Sequence, residues 1–232
     1  MSEFRLTLTL MSSGLPSLFE RLERWLAAHA PRIYSELTPG VKNSELDELE
    51  ALTGQTLPPD FRALYRRHGD WGRALRLTHM PLMQVHRDWL MWESLSGEDF
   101  ASTMEGHASF PAGAITPRYI NLGWIPFLTD YGGNSVGIDL APASAGVRGQ
   151  VITFGRDERE KYVLAPSLHD FLREYVERLE AGRGRVIDEN DPDFPPFQPF
   201  QRLELTNAAG EGVDEYLRLA DLFPGFGAVP NR

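Results

Sequence analysis

Apolar and polar positions first alternate and then change period. Phe4, Leu6, Leu8 and Leu10 alternate with Arg5, Thr7 and Thr9. That two-residue period predicts a strand, read as an N-terminal extension over residues 1–14. From Leu15 the spacing becomes three and four. Leu18, Phe19, Leu22, Trp25 and Leu26 mark an amphipathic helix. Ser44, with Asp47 three residues on, has the form of a capping box; Leu46, Leu49 and Leu52 follow, and Gly54 ends that helix. Pro58 and Pro59 suit the first turn of a third helix, where no N–H is needed. Its buried face is Phe61, Leu64 and Tyr65, and Gly69 ends it. A fourth short helix is expected around Val85, Trp89 and Trp92.

Residues from Gly106 to Pro117 read as loop. Four β-like runs follow, Trp124 to Leu128, Ser135 to Leu140, Gln150 to Phe154 and Lys161 to Leu164, punctuated by Gly, Pro, Ala and Asp. Ser167 caps a closing helix whose face is Leu168, Phe171, Leu172, Tyr175, Val176 and Leu179. Helices, then strands joined by links too short for parallel crossovers, predict an α+β fold. Its sheet is mainly antiparallel, of about four to six strands, flanked by helices. The domain spans residues 15–182. Residues 183–232 form an acidic tail with Pro192, Pro195, Pro196 and Pro199, expected to be dispensable for the fold, with a short helix near Val213 to Leu222.

Charge narrows the partner. Lys and Arg number 23 against 33 Asp and Glu, a formal charge of −10. Such a field repels nucleic acid and steers toward basic proteins. There is no cysteine, hence no disulfide, thiolate nucleophile or thiolate-bound metal. The first twenty residues carry Glu3, Arg5 and Glu20 without an unbroken apolar stretch, so no secretory signal is expected. No run approaches the roughly 18 apolar residues of a membrane span. A cytoplasmic protein without membrane contact is expected, of unassigned oligomeric state.

The chemical motifs are thin. Gly133-Asn134-Ser135-Val136-Gly137 matches the G-x-S-x-G pattern of hydrolase nucleophiles, but that chemistry needs a helix after the serine, and Val136 to Leu140 continues as a strand. Asp139 and His169 have nothing in the sequence to bring them to it. Tyr131-Gly132-Gly133-Asn134 lacks the lysine and helix of a phosphate loop and reads as a β-turn. The six histidines form no metal-ligand spacing, and His86 with Asp88 is too small a set. No catalytic residue, metal or cofactor is assigned. The candidate partner surface is the loop end of the sheet, Asp130, Tyr131, Asn134, Arg156, Asp157 and Glu158, because short turns on a rigid sheet are common binding sites. Trp92, three residues from Trp89 on one helix, is the rival anchor.

Pro39-Gly40-Val41, Ser44 to Leu52, Leu57-Pro58-Pro59-Asp60-Phe61 and His68-Gly69-Asp70 make a first block. Trp124-Ile125-Pro126-Phe127, Gly133-Asn134, Gly137 to Leu140 and Gly149 to Asp157 make a second, running to Phe171-Leu172. In this order they resemble the SUKH superfamily, over Leu15 to about Gly182. The second block is nearest the cell-wall-regulator branch. His68 stands where the family usually has Asn. The resemblance implies an α+β fold without catalysis. It implies an immunity protein that neutralises a bacterial toxin, a basic toxin domain being the expected partner. The alternative is a regulatory scaffold in cell-wall assembly or stress signalling. A serine hydrolase using Ser135 is the remote third reading.

Overall fold

The computed structural model describes residues 2–99, 106–189, 200–206 and 210, with side chains from residue 14 onward. The chain enters through α1 (Ser2–His29), α2 (Pro31–Glu36), α3 (Asn43–Thr53) and α4 (Pro59–Arg67). β1 (Thr78–His79), α5 (Leu82–Leu95) and β2 (Ala108–Phe110) follow. Then come β3 (Trp124–Thr129), β4 (Asn134–Asp139), β5 (Gln150–Gly155) and β6 (Glu160–Ala165), α6 (Leu168–Glu180), and finally β7 (Gly184–Glu189) and β8 (Phe200–Leu205). The six-stranded sheet runs β1-β3-β4-β5-β6-β2, antiparallel except for the β2–β6 pair, and β7 with β8 makes a separate antiparallel hairpin. The α+β expectation with a mainly antiparallel sheet therefore holds.

Side chains alternate across the sheet and build two apolar layers. Ile125, Phe127, Val136, Ile138, Val151, Tyr162 and Leu164 face the helices. There Phe127 meets Phe61 edge-on at 6.4 Å and Phe171 at 5.9 Å. Trp124, Ile152, Phe154 and Val163 face the other way and are covered by Ala114 and Ile115. Gly137 sits opposite Pro126 of β3, and a Cβ there would collide with the Ile125 carbonyl oxygen and the Phe154 ring.

The helices form largely where periodicity put them, and α6 buries all six residues of its predicted face. Gly54 caps α3 at φ 65°, the left-handed conformation glycine adopts freely. The capping box is shifted from the predicted Ser44–Asp47 pair. The Lys42 N–H donates to Glu45 Oε2 at 2.9 Å, and Asp47 instead pairs with Arg62 at 2.7 Å.

Three sequence expectations need correction. The segment from Phe4 to Leu10 is helical, part of α1, not a strand. Its alternation is short, and leucine and arginine are strong helix formers. Second, the presumed loop before Pro117 contains β2. Third, part of the presumed dispensable tail belongs to the fold. Leu203 and Leu205 on β8 are fully buried in the main core, Thr206 N donates to Arg183 O at 3.0 Å, and Arg32 N donates to Gln201 Oε1 at 3.2 Å. Pro192, Pro195, Pro196, Pro199 and the helix expected near Val213 to Leu222 lie outside the described residues.

The stretch from Trp71 to Met80, which carries β1, is held by three buried aromatic side chains. Trp71 Nε1 donates to Leu64 O (3.2 Å), Tyr65 OH to Met80 O (2.7 Å) and Tyr175 OH to Ala74 O (2.9 Å). This stretch is thus tied to α4 and α6, while β1 within it pairs with β3.

Candidate functional site

The pairing of β4 with β5 places Asn134 opposite Gly155, which sets the β3–β4 turn beside the β5–β6 turn. Asn134 joins them. Its Nδ2 donates to Asp130 Oδ2 at 2.8 Å, and its Oδ1 accepts from Asp157 N at 2.9 Å. Asp130 Oδ1 accepts from Gly132 N (2.6 Å) and Asn134 N (3.0 Å), and Arg156 N donates to Gly133 O (2.9 Å). Two short turns therefore behave as one platform. The ring of Tyr131 stands on it 73% exposed, on a backbone at φ 59°. The exposed Arg156 and Asp157 pair at 3.3 Å, and this guanidinium holds the Asp157 carboxyl below its usual range.

Five of the candidate residues, Asp130, Tyr131, Asn134, Arg156 and Asp157, are brought together, though Asn134 is buried and acts as the clamp. Glu158 is not at the surface: it is 1% exposed, and burial raises its carboxyl to about 7. Beneath it the fully buried Lys161 donates from Nζ to Glu158 O at 2.6 Å and lies 3.2 Å from His107 Nδ1. Burial lowers this ammonium to about 8. Trp92 belongs elsewhere. It is half-buried on α5, edge-on to Tyr119 at 5.9 Å, in a crevice of about 10 Å³ with Trp89, Leu122 and Trp124. That space admits no more than a water molecule.

Next to Tyr131 the sequence reading missed a cleft of about 210 Å³. Its walls include Met83, which is 74% exposed, Gln84, Arg87 and Thr129, and its floor is Asp70 with His79. His79 is 1% exposed, with Nδ1 3.6 Å from Asp70 Oδ1, and burial keeps its imidazole below the ordinary value. Met83 and Tyr131 give this face two exposed apolar side chains about a polar floor. The signal available in the sequence was Met83, the outward position of an amphipathic helix whose inward positions are Leu82, Val85 and Trp89.

Ser135 lies in the middle of a buried antiparallel pair, opposite Phe154 and Thr129, and strand rather than helix follows it. Asp139 spends its carboxylate on Gln150 Nε2 (3.0 Å) and Ala141 N (3.0 Å), and burial raises it to about 6. Among the described residues, no three His, Asp or Glu side chains are grouped to hold a metal ion. Nor, among the described residues, is any helix long and apolar enough to cross a membrane.

Residues 40–174 match the SMI1 / KNR4 family (SUKH-1). Among similar proteins is KNR4/SMI1 homolog 2 of Debaryomyces hansenii, 34% identical over 78% of this chain and 38% of its own length. The cell wall biosynthesis/cell cycle regulator smi1 of Schizosaccharomyces pombe is 32% identical over 81% of this chain and 41% of its own. The glucan synthesis regulatory protein of Neurospora crassa is 29% identical over 75% and 40%. The chain thus spans about two fifths of the relatives it matches. These likenesses overturn the expectation of an immunity protein neutralising a bacterial toxin, since the named relatives are fungal regulators of cell-wall and glucan synthesis.

Proposed function

The chain belongs to the SMI1 / KNR4 family (SUKH-1), and from that premise we propose that it is a non-catalytic, cytoplasmic binding module in the regulation of cell-wall assembly. The observation that carries the reading is the clamped platform of the β3–β4 and β5–β6 turns, with Tyr131 exposed at its centre and the Met83 cleft beside it. A regulator without catalysis must act by contact. Contact surfaces draw their affinity from a few aromatic anchors held rigid before binding. Tyr131 fits that role, because its turn is fixed from both sides. Met83 adds an adaptable apolar contact. Arg156 and Asp157 on the rim set register more than affinity. The partner in this reading is another protein.

A chimera tests it. The matching region of the Schizosaccharomyces pombe relative is replaced by this chain, and growth is scored on a dye that perturbs cell-wall glucan. Growth equal to the unaltered strain is expected, with loss in Tyr131→Ala and Met83→Asp chimeras of unchanged abundance and melting temperature. Loss on Trp92→Ala, with Tyr131→Ala silent, moves the contact to the α5 crevice. Growth unaffected by any of the three rejects the surface.

A further inference from the structure

The floor of the cleft beside Tyr131 holds a buried polar side chain without a hydrogen-bond partner. His79 is 1% exposed, yet among the described residues neither of its ring nitrogens makes a hydrogen bond. Nδ1 faces Asp70 Oδ1 from 3.6 Å, longer than a hydrogen bond. Buried polar atoms are almost always paired in folded proteins. An orphaned imidazole at the base of an open cleft therefore points to a group that arrives from outside. We propose that this cleft receives a tyrosine side chain of a partner protein, whose hydroxyl donates to His79. This rests on the loop-end reading above and adds the chemistry of what docks there.

Four features of the cleft select that group. First, burial keeps the His79 ring below the ordinary imidazole value, hence neutral, with one N–H and one bare nitrogen. The nearby Asp70 carboxylate sets the proton on Nδ1, which leaves Nε2 an acceptor. What is missing is a donor. Second, the lining is balanced in charge. Asp70 lies at the floor and the exposed Arg87 at the rim, so neither sign of ligand is favoured, and a neutral side chain enters without the cost of desolvating a charge. Third, the walls are Met83, 74% exposed, and Tyr131, 73% exposed. A thioether and an aromatic ring both pack well against another ring, a surface that serine and threonine do not offer. Fourth, at about 210 Å³ the cleft falls short of the roughly 300–1,000 Å³ of small-molecule sites and takes one large side chain.

The floor is set before anything binds. His79 N donates to Gly72 O at 2.7 Å, and the ring lies against that of Tyr65, with centroids 4.8 Å apart. Asp70 N donates to Thr38 Oγ1 at 2.8 Å, and Asp70 Oδ1 accepts from Gly72 N at 2.7 Å. An acceptor held in this way costs no ordering when its donor arrives. Tyrosine carries that donor at the far end of its ring, so a ring entering between Met83 and Tyr131 brings the hydroxyl to the base. The indole N–H of tryptophan sits on the flank of its ring, and phenylalanine has no donor.

The test is NMR titration of the full chain with degenerate peptide pools whose central residue is fixed as tyrosine, phenylalanine, tryptophan or lysine. The tyrosine pool is expected to bind about tenfold more tightly than the phenylalanine pool, the worth of one hydrogen bond, and to shift the His79 ring nitrogens. His79→Phe keeps a ring in the same buried place and should bring the two pools to equal affinity. Met83→Ala, at an exposed position, should weaken both pools alike and leave their ratio unchanged. Equal binding of the tyrosine and phenylalanine pools to the unaltered chain overturns the proposal. So does a preference for lysine or tryptophan, or a tyrosine preference that survives His79→Phe. Should His79→Phe fail to fold, His79 ring nitrogens that do not move on saturation with the tyrosine pool overturn it by themselves. If the pools bind alike while Met83→Asp still disables the chimera, the tyrosine fails and the loop-end surface stands. If tyrosine is preferred while the chimera ignores both Tyr131→Ala and Met83→Asp, the tyrosine site stands and the regulatory reading fails.

Discussion

Glu158→Gln should stabilise the protein, and only at neutral to alkaline pH. Glu158 is 1% exposed, and burial raises its carboxyl from 4.5 to about 7 against the opposing pull of the Lys161 charge. An acid whose folded value lies above its unfolded value contributes stability below pH 4.5 and loses it as pH rises through about 7. At roughly 1.4 kcal/mol per pH unit the loss is about 3 kcal/mol by pH 8. Glutamine mimics the protonated acid and cannot ionise. The variant should therefore gain under about 1 kcal/mol at pH 5 and about 3 kcal/mol at pH 8. Lys161 does not reverse the sign. Its value of about 8 means that at pH 8 it sheds its proton at little cost once the counter-charge is gone. The assay is urea unfolding followed by tryptophan fluorescence at the two pH values, with the midpoint read at a common slope. An equal effect at both pH values refutes the reasoning. Destabilisation at pH 8 does so more sharply, because it would make the ionised Glu158 a net favourable counter-ion for Lys161.

Phe61→Asp should leave the chain unfolded by circular dichroism. Phe61 is fully buried between Tyr65 and Phe127, and a lost core ring with a buried carboxylate costs roughly 5 kcal/mol or more against a typical total of about 5–15. Ending the chain after Gly182 should remove about 3–6 kcal/mol through Leu203 and Leu205 alone; a lowered melting temperature with increased binding of an apolar dye is expected, and an unchanged melt would show that β8 is peripheral. Ser135→Ala should leave chimera growth unchanged, and covalent labelling of Ser135 by a fluorophosphonate would refute its assignment as a strand residue.

What the sequence revealed follows the range of the forces involved. α4, α6 and the run from β3 to β6 were legible because their periodicity repeats over six to thirteen residues and is bounded by proline, glycine or serine. β1 and β2, of two and three residues, are too short to show a period. β7 and β8 flank a proline-rich acidic run whose composition reads as tail. The turn at Asp130 to Gly133 was recognisable from its glycines, but the role of Asn134 was not, since its partners include a residue 23 positions away. A cleft lined by Arg73, Arg76, Thr129 and Arg202 escaped for the same reason, its members lying on segments that meet only in the folded chain.

The run Arg156-Asp157-Glu158-Arg159-Glu160-Lys161 makes the limit concrete. By composition it is a solvated hairpin tip, and Arg156 and Asp157 behave as one. A strand at the edge of a sheet would leave Lys161 in water too. β6 is not at the edge, because β2 pairs with it in parallel and sets Ser109 against Lys161. The ring centre of Trp124, on the sheet face turned away from the helices, lies 5.5 Å from the ammonium. One three-residue strand, itself without a period to betray it, thus helps to turn two of these six charged residues, Glu158 and Lys161, into a buried acid and base. Glu158 follows the exposed Asp157 in the chain and feels its charge. The ionisation of Glu158 and Lys161, and not the exposed pair, governs how stability at this end of the sheet depends on pH.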